Sequence, residues 1–261
     1  MSLLSWIIIF CLVGGLLSVL AAATFLLLSD SFRKKLLPHM VSYAIGALLG
    51  AAFLALLPHA LGHPAVSDLH DVTLTVLVGI LAFFLLEKLV LWRHCHAHDC
   101  EIHGEEDKHH AHGQARGSMI VIGDGMHNLV DGVLIGAAFL TDIHLGVVTS
   151  IAVATHEIPQ ELGDFSILLH SGYSRSKALL MNIAASLTTV IGGVAAYYSL
   201  QSAEQFVPYV LAIAAASFIY IAVADLIPGL HERTEASVTA QQMMLIAAGV
   251  ITIYLAHSTL H

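Results

Sequence analysis

Residues 144–170 read HLGVVTSIAVATHEIPQELGDFSILLH, and the fold depends on where that stretch sits. Its first half is apolar and rich in small and β-branched residues, as a membrane helix is. Thr155 to Asp164 then bring in His156, Glu157, Gln160, Glu161 and Asp164 without ending the apolar run. At the centre of a bilayer each ionisable side chain costs about 2.5–3.5 kcal/mol or more, so such a cluster marks a working site and not a packing accident.

The surrounding chain decides for the bilayer. Of its 261 residues 57% are hydrophobic and 11% charged, where ordinary globular domains carry about 25% charged residues. Mean hydropathy is +0.81, and several apolar runs exceed the ~18 residues that separate a spanning helix from a buried one. A soluble fold would need a very large core under almost no charged surface. The chain therefore reads as an all-α polytopic membrane protein, with the lipid bilayer as its surroundings. A net charge of −9 excludes nucleic acid as a partner. Cys11, Cys95 and Cys100 are odd in number and imply no disulfide framework. Residues 1–28 lack a basic start and are too long for a signal peptide's apolar region, so they read as a retained first helix.

Apolar runs near 5–28, 40–61, 73–93, 118–140, 144–170, 175–199, 207–228 and 241–260 predict eight spans in a single transmembrane domain covering residues 1–261. The basic residues orient them. Arg33, Lys34, Lys35, Lys88, Arg93, Lys108, Arg116, Arg175, Lys177 and Arg233 all fall at odd-numbered connections, and the even ones carry none. The positive-inside rule then puts both termini outside and the 94–117 loop in the cytoplasm. Leu57-Pro58-His59 near the end of the second span is echoed by Ile227-Pro228-Gly229 near the end of the seventh, which runs the opposite way. This predicts an inverted repeat arranged 3+2+3, with the fourth and fifth spans as the central pair.

The 94–117 loop concentrates His94, Cys95, His96, His98, Cys100, His103, His109, His110 and His112 among acids. Such a tract reads as a disordered segment suited to loose, exchangeable binding of zinc or a similar ion, or as a solvated linker that happens to be His-rich.

The fourth span holds Asp124, His127, Asn128 and Asp131, and the fifth His156, Glu157, Gln160, Glu161 and Asp164. Spacings of three and four put each set on one helical face. Lipid cannot satisfy these faces, so they are expected to turn towards each other. His127 and His156 each lie about ten residues, or roughly 15 Å, from the end of their span, near the midplane. Pro159 removes a backbone donor and leaves the Thr155 carbonyl without its helical partner. No lysine or arginine occurs between Arg116 and Arg175, so the counter-ion of these acids must be mobile, a metal ion or protons. Two neutral imidazoles and two carboxylates around a divalent ion make a neutral site that suits zinc and admits Mn²⁺, Fe²⁺ or Cd²⁺.

Three strings resemble a known family. His127-Asn128-Leu129-Val130-Asp131-Gly132 is similar to the His-Asn-x-x-Asp-Gly element of the ZIP (Zrt/Irt-like) metal transporters. Residues 156–165, HEIPQELGDF, resemble the His-Glu-x-Pro-His-Glu-x-Gly-Asp signature of their LIV-1 branch, and Leu56-Leu57-Pro58-His59-Ala60 that branch's second-helix element. The resemblance implies an eight-helix ZIP-type bundle and a metal site of His127, Asn128, Asp131, His156, Glu157 and Gln160. It further implies that spans one, four, five and six move as a transport unit that carries zinc, the substrate, inward. His59, Asp124, Glu161, Asp164 and the loop histidines are accessory or pathway candidates. Two departures stand out: Gln160 occupies a position usually held by His, and Ser186-Leu187-Thr188-Thr189 lacks the sixth-span acid that completes a second metal site in some members. One metal site is therefore expected.

No enzyme activity and no organic cofactor are expected. The nearest enzyme reading takes His156-Glu157-x-x-Gln160 as a damaged zinc-protease motif, but the second His is missing and Pro159 interrupts the helix. A cation-diffusion exporter would have about six spans and inward termini. His63, Asp68, His70 and Asp71 attract ions at the outer face in one reading and are ordinary loop polarity in the other. The sequence permits a homodimer without requiring one.

Overall fold

The structure, a computed structural model, describes residues 1–25, 27–96, 107–231 and 235–260, without the side chains of residues 30, 90–96, 107–119 and 260. Among the described residues every regular element is helical. They run α1 (Leu3–Phe25), α2 (Asp30–Gly50), a π-turn segment (Ala51–Leu56), α3 (Leu57–Leu61), α4 (Leu69–His96), α5 (Asp107–Thr141), α6 (Ile143–His170), α7 (Arg175–Ser186) and α8 (Thr188–Leu200). A 3₁₀ turn (Glu204–Phe206), α9 (Val207–Tyr220), a second π-turn segment (Ile221–Leu226), α10 (Ile227–Leu230) and α11 (Ala236–Leu260) complete the chain.

These elements make up the eight expected spans, the second built from α2 and α3, the sixth from α7 and α8, and the seventh from α9 and α10. Seven of the eight are long and apolar enough to cross a membrane. The remaining one, α6, is 28 residues long, about 42 Å at 1.5 Å per residue, and its apolarity is diluted by His156, Glu157, Gln160, Glu161 and Asp164. The protein is an integral membrane protein.

Several boundaries differ from the expectation, and the helix of the second span begins ten residues early, at Asp30. Helix α5 begins at Asp107, inside the polar tract, so the fourth span continues as helix beyond its apolar part. The turn between α5 and α6 is reduced to Asp142, whose carboxylate accepts from the backbone N–H of His144 (2.7 Å) and Leu145 (3.1 Å) and so caps α6. The sixth span is broken at Leu187. There the Thr188 hydroxyl lies 2.6 Å from both the Ala185 carbonyl of its own span and the Gly125 carbonyl of α5. Such local side-chain bonds compete with the helical ladder.

The inverted repeat is written into the backbone. In the second span the N–H of Leu57 reaches back to the carbonyl of Ala52, and in the seventh that of Ile227 reaches Ala222. Both wide turns precede a proline, Pro58 or Pro228, whose ring would clash in a regular ladder. Packing repeats at the same offset of 170 residues. Helix α2 lies on α11 where a Cβ on Gly46 or Gly249 would strike the Ile246 or Tyr43 carbonyl, and α4 lies on α9 where a Cβ on Gly79 would sit 2.7 Å from that of Ala216. Gly46 corresponds to Ala216 and Gly79 to Gly249. Small residues serve here because lipid supplies no hydrophobic drive between helices, leaving close backbone contact to hold them.

The same device builds a second block. Helix α5 docks on α8 through Gly132 and Gly192, where an added Cβ would collide with the carbonyls of Thr189 and Leu129 respectively. Ile7 and Cys11 of α1 close over Gly193, and α6 packs against α1 and α5. Helices α1, α5, α6 and α7–α8 thus surround the polar faces.

Candidate metal centre

Helices α5 and α6 bring His127, Asp131, His156 and Glu157 together, with one ligand atom from each inside 4.8 Å of all the others. His156 Nε2 lies 3.2 Å from His127 Nε2 and 3.2 Å from Asp131 Oδ2. Glu157 Oε1 is 3.4 Å from His127 Nε2 and 3.7 Å from His156 Nε2. His127 Nε2 is 3.7 Å from Asp131 Oδ2. A tetrahedral zinc ion with bonds of about 2.0–2.1 Å separates its ligand atoms by about 3.3 Å, so these spacings suit an ion of that size.

Protonation follows from the neighbours. His156 Nδ1 sits 3.1 Å from the Ala152 carbonyl, which only accepts, so this nitrogen carries the proton and Nε2 presents a lone pair. None of the four carboxylate oxygens of Asp131 and Glu157 accepts a hydrogen bond, and both residues are fully buried. Lone pairs and carboxylate oxygens held this closely repel one another unless a proton or a cation lies between them. His127 is the half-open member, with 23% of its side chain exposed against 1% for His156.

One helical turn further along α6, towards the start of α5, Asp124, Glu157 and Glu161 form a second group with the same 4.8 Å limit. Glu157 belongs to both. Asn128 does not point its oxygen into the first group: Oδ1 accepts the Thr189 hydroxyl at 2.8 Å, and Nδ2 donates to Asp124 Oδ1 at 2.9 Å. Gln160 is half-buried beside Pro159, and Asp164 is half-buried a turn beyond Glu161. Helix α6 runs unbroken through Pro159.

The pattern of residues and its geometry agree with the comparison to known proteins, in which the family described as ZIP Zinc transporter matches residues 2–257. The chain belongs to the ZIP family. It is 29% identical to zinc transporter ZIP13 of Pongo abelii over 231 residues, covering 84% of this chain and 66% of that protein. Over 112 residues it is 43% identical to human zinc transporter ZIP4, covering 43% of this chain and 17% of that one. It is 31% identical to zinc transporter zipt-7.2 of Caenorhabditis elegans over 300 aligned positions, 93% of this chain and 64% of that one. The chain thus spans at most about two thirds of the length of these relatives. ZIP13 and ZIP4 are LIV-1 members, as the strings in α3, α5 and α6 imply.

The other nominated residues lie elsewhere. His59 sits in α3 at the opposite end of the bundle, with Nδ1 2.8 Å from the Ala55 carbonyl and its ring edge-on to His257. It lines a cavity of about 520 Å³ together with His63, Thr141 and Glu204. Asp68 accepts from the backbone N–H of His70 at 2.9 Å and thereby caps α4. His98 and His103 lie outside the described residues, and the side chains of His94, His96, His109, His110 and His112 are likewise not described. Sequence reasoning noted Thr189 only as part of a stretch lacking an acid and did not single out Asn182; their side chains reach Asn128 and the Glu161 carbonyl (3.4 Å) respectively. The signal for Thr189 was the cluster of hydroxyl residues Ser186, Thr188 and Thr189 inside an apolar span, and for Asn182 a lone amide in the same span.

Proposed function

We propose that this ZIP-family chain imports a divalent transition metal, zinc foremost, into the cytosol. The importer lies in a cytoplasmic (inner or plasma) membrane with both termini outside. The observation that carries the reading is the convergence of two imidazoles and two carboxylates, nearly all buried, with every carboxylate oxygen lacking a hydrogen-bond donor. Zinc transport is what the names of its relatives state of those proteins.

His127, Asp131, His156 and Glu157 replace the water shell of the ion at the midplane. Asn128 belongs to the site through Asp124, which it orients, and Gln160 supplies an amide oxygen where the branch usually supplies a nitrogen. The block of α1, α5, α6 and α7–α8 moves as one body against the scaffold of the remaining helices, carrying the site from one face to the other. Its glycine-mediated contacts favour rigid motion because any relative slip would drive backbone into backbone. Moving a divalent ion inward through 100 mV yields about 4.6 kcal/mol, twice the single-charge value, so no ATP is required. The same donors admit Mn²⁺, Fe²⁺ and Cd²⁺.

The test is zinc uptake into vesicles containing the purified protein, with competing metals and with and without a pH gradient. His156→Ala is expected to abolish uptake while the protein stays folded in the membrane. Normal uptake by that variant would overturn the assignment of the site.

A further inference from the structure

We propose that an anionic phospholipid binds in a crevice along the seam between α1 and α6 on one side and α2 and α11 on the other, with one acyl chain inside and its phosphate at Lys34 and Lys35. The crevice encloses about 540 Å³, within the ~300–1,000 Å³ of pockets that hold a ligand. Leu17 of α1, Met40 and Tyr43 of α2, Ile151 and Ile158 of α6 and Leu245 of α11 line it. It exists because small residues meet there: Ser150 and Ala154 face it from α6, and a Cβ on Gly14 of α1 would find nothing within 4 Å.

The walls offer little to water or to an ion, because the three hydroxyls in them are already engaged. Ser150 donates to the Gly146 carbonyl at 2.7 Å and Thr155 to the Ile151 carbonyl at 2.6 Å, both within α6. The Tyr43 hydroxyl donates to Thr252 Oγ1 at 2.9 Å. With these groups satisfied, the surface left is hydrocarbon, and so is the occupant that fits it. On the rim Val13 and Leu17 are 47% and 55% exposed, so the crevice opens sideways to the bilayer. At the end where α1 stops and α2 starts it is closed by Ala22, Phe25 and Leu162, packed with Leu36 and Met40.

Charge selects the lipid. Lys35, His39 and Tyr43 stand four apart on α2 and share a face. Lys35 therefore lies one turn beyond the crevice residue His39, whose Nδ1 is 2.6 Å from the Lys35 carbonyl. Arg33 and the exposed Lys34 precede it. All three basic residues occupy the first turns of α2, where positive charge works against the helix dipole, and the cap residue Ser29 makes no side-chain bond to the helix. A phosphate answers both the basic side chains and the open helix end. From Lys35 to Tyr43 is about 12 Å along the helix, and the hydrocarbon of one leaflet is about 15 Å deep. Chain and phosphate thus reach their positions together.

An acyl chain gains no hydrophobic energy by leaving the bilayer for this crevice, so packing and charge supply the preference. Each basic residue near an anionic lipid adds about fivefold in affinity. A chain lodged against α6 and α2 at once must be released or repacked when the two slide, which makes the lipid a brake. That last step rests on the moving-block reading above; the binding site does not.

The test counts lipids bound to the detergent-solubilised protein by native mass spectrometry while dioleoyl phosphatidylglycerol, or the zwitterionic dioleoyl phosphatidylcholine, is titrated. The anionic lipid is expected to bind at least about tenfold more tightly. Lys34→Gln/Lys35→Gln is expected to erase that difference, and Ala154→Phe, which fills the crevice, to weaken both lipids. Gly14→Leu fills the same space from the other wall and gives the same readout should Ala154→Phe fold poorly. Equal affinity for the two lipids in the wild type, an unchanged preference in the lysine variant, or unchanged binding in both filled variants would each overturn the site. Zinc uptake is expected to be about threefold slower in vesicles of mixed phosphatidylglycerol and phosphatidylcholine than in phosphatidylcholine alone, and equally fast in both for the lysine variant. Uptake indifferent to the lipid would overturn the brake. No uptake in either vesicle, with lipid binding as described, would overturn the importer reading and leave the site standing.

Discussion

Asp131→Asn separates a ligand from a structural carboxylate by the sign of two effects. Asp131 is fully buried and neither oxygen accepts a hydrogen bond, so in the metal-free protein it is a desolvated charge facing two imidazoles. Neutralising it without changing its shape is expected to leave the metal-free melting temperature unchanged or higher. With metal the effect reverses. Zinc at one hundred times its Kd stabilises the wild type by about 2.7 kcal/mol. At roughly 2–4 °C per kcal/mol for a chain of this size, that is about 5–11 °C. Removing one partner from a buried set of charges costs about 3–5 kcal/mol, at least ~100-fold in Kd. The same zinc then adds only about 0.4 kcal/mol, a shift of at most about 2 °C. Thermal unfolding in detergent, read by size-exclusion chromatography with and without zinc, measures both numbers. A zinc shift in the variant equal to that of the wild type refutes the assignment, as does a large fall in the metal-free melting temperature with the shift intact.

Gln160→His restores a nitrogen donor at the position where the branch usually has one and is expected to tighten zinc binding by about tenfold while slowing turnover, checked by the KM and maximal rate of uptake. Gly132→Val would drive a branched side chain into the Thr189 carbonyl and Gly193; a loss of about 1–3 kcal/mol or more is expected, seen as a lower melting temperature without any change in the ligands themselves. Deleting most of residues 94–112 is expected to spare basal uptake, because the sites built by α5 and α6 use no residue from that tract; loss of uptake would place the tract in the transport path.

The spans, their alternation and the polar faces of α5 and α6 were legible in the sequence because each is a local property. A run of about twenty apolar residues must hide its backbone in a helix. Spacings of three and four put His127 with Asp131, and Glu157 with Glu161, on one side of a helix whatever the partner. The absence of lysine and arginine from Gly117 to Ser174 is likewise a fact of composition, and it already required a mobile counter-ion. Even the proline echo of Pro58 and Pro228 was visible, although its meaning became clear only when both prolines were found behind matching π turns.

Which way each helix is rotated about its own axis was decided by tertiary contacts. Gly132, Gly192 and Gly193 bring α5, α8 and α1 into close contact, and that packing sets Asp131 towards His156 and Asn128 towards Thr189. Pairings across gaps of 29 and 61 residues cannot be read from helical periodicity. They depend on how closely two backbones approach, which small residues on distant segments set. For this reason residues 155–164 alone define an acidic face, whereas the ligand pair of His156 with Asp131, and the junction of Glu161 with Asp124, exist only in the packed bundle.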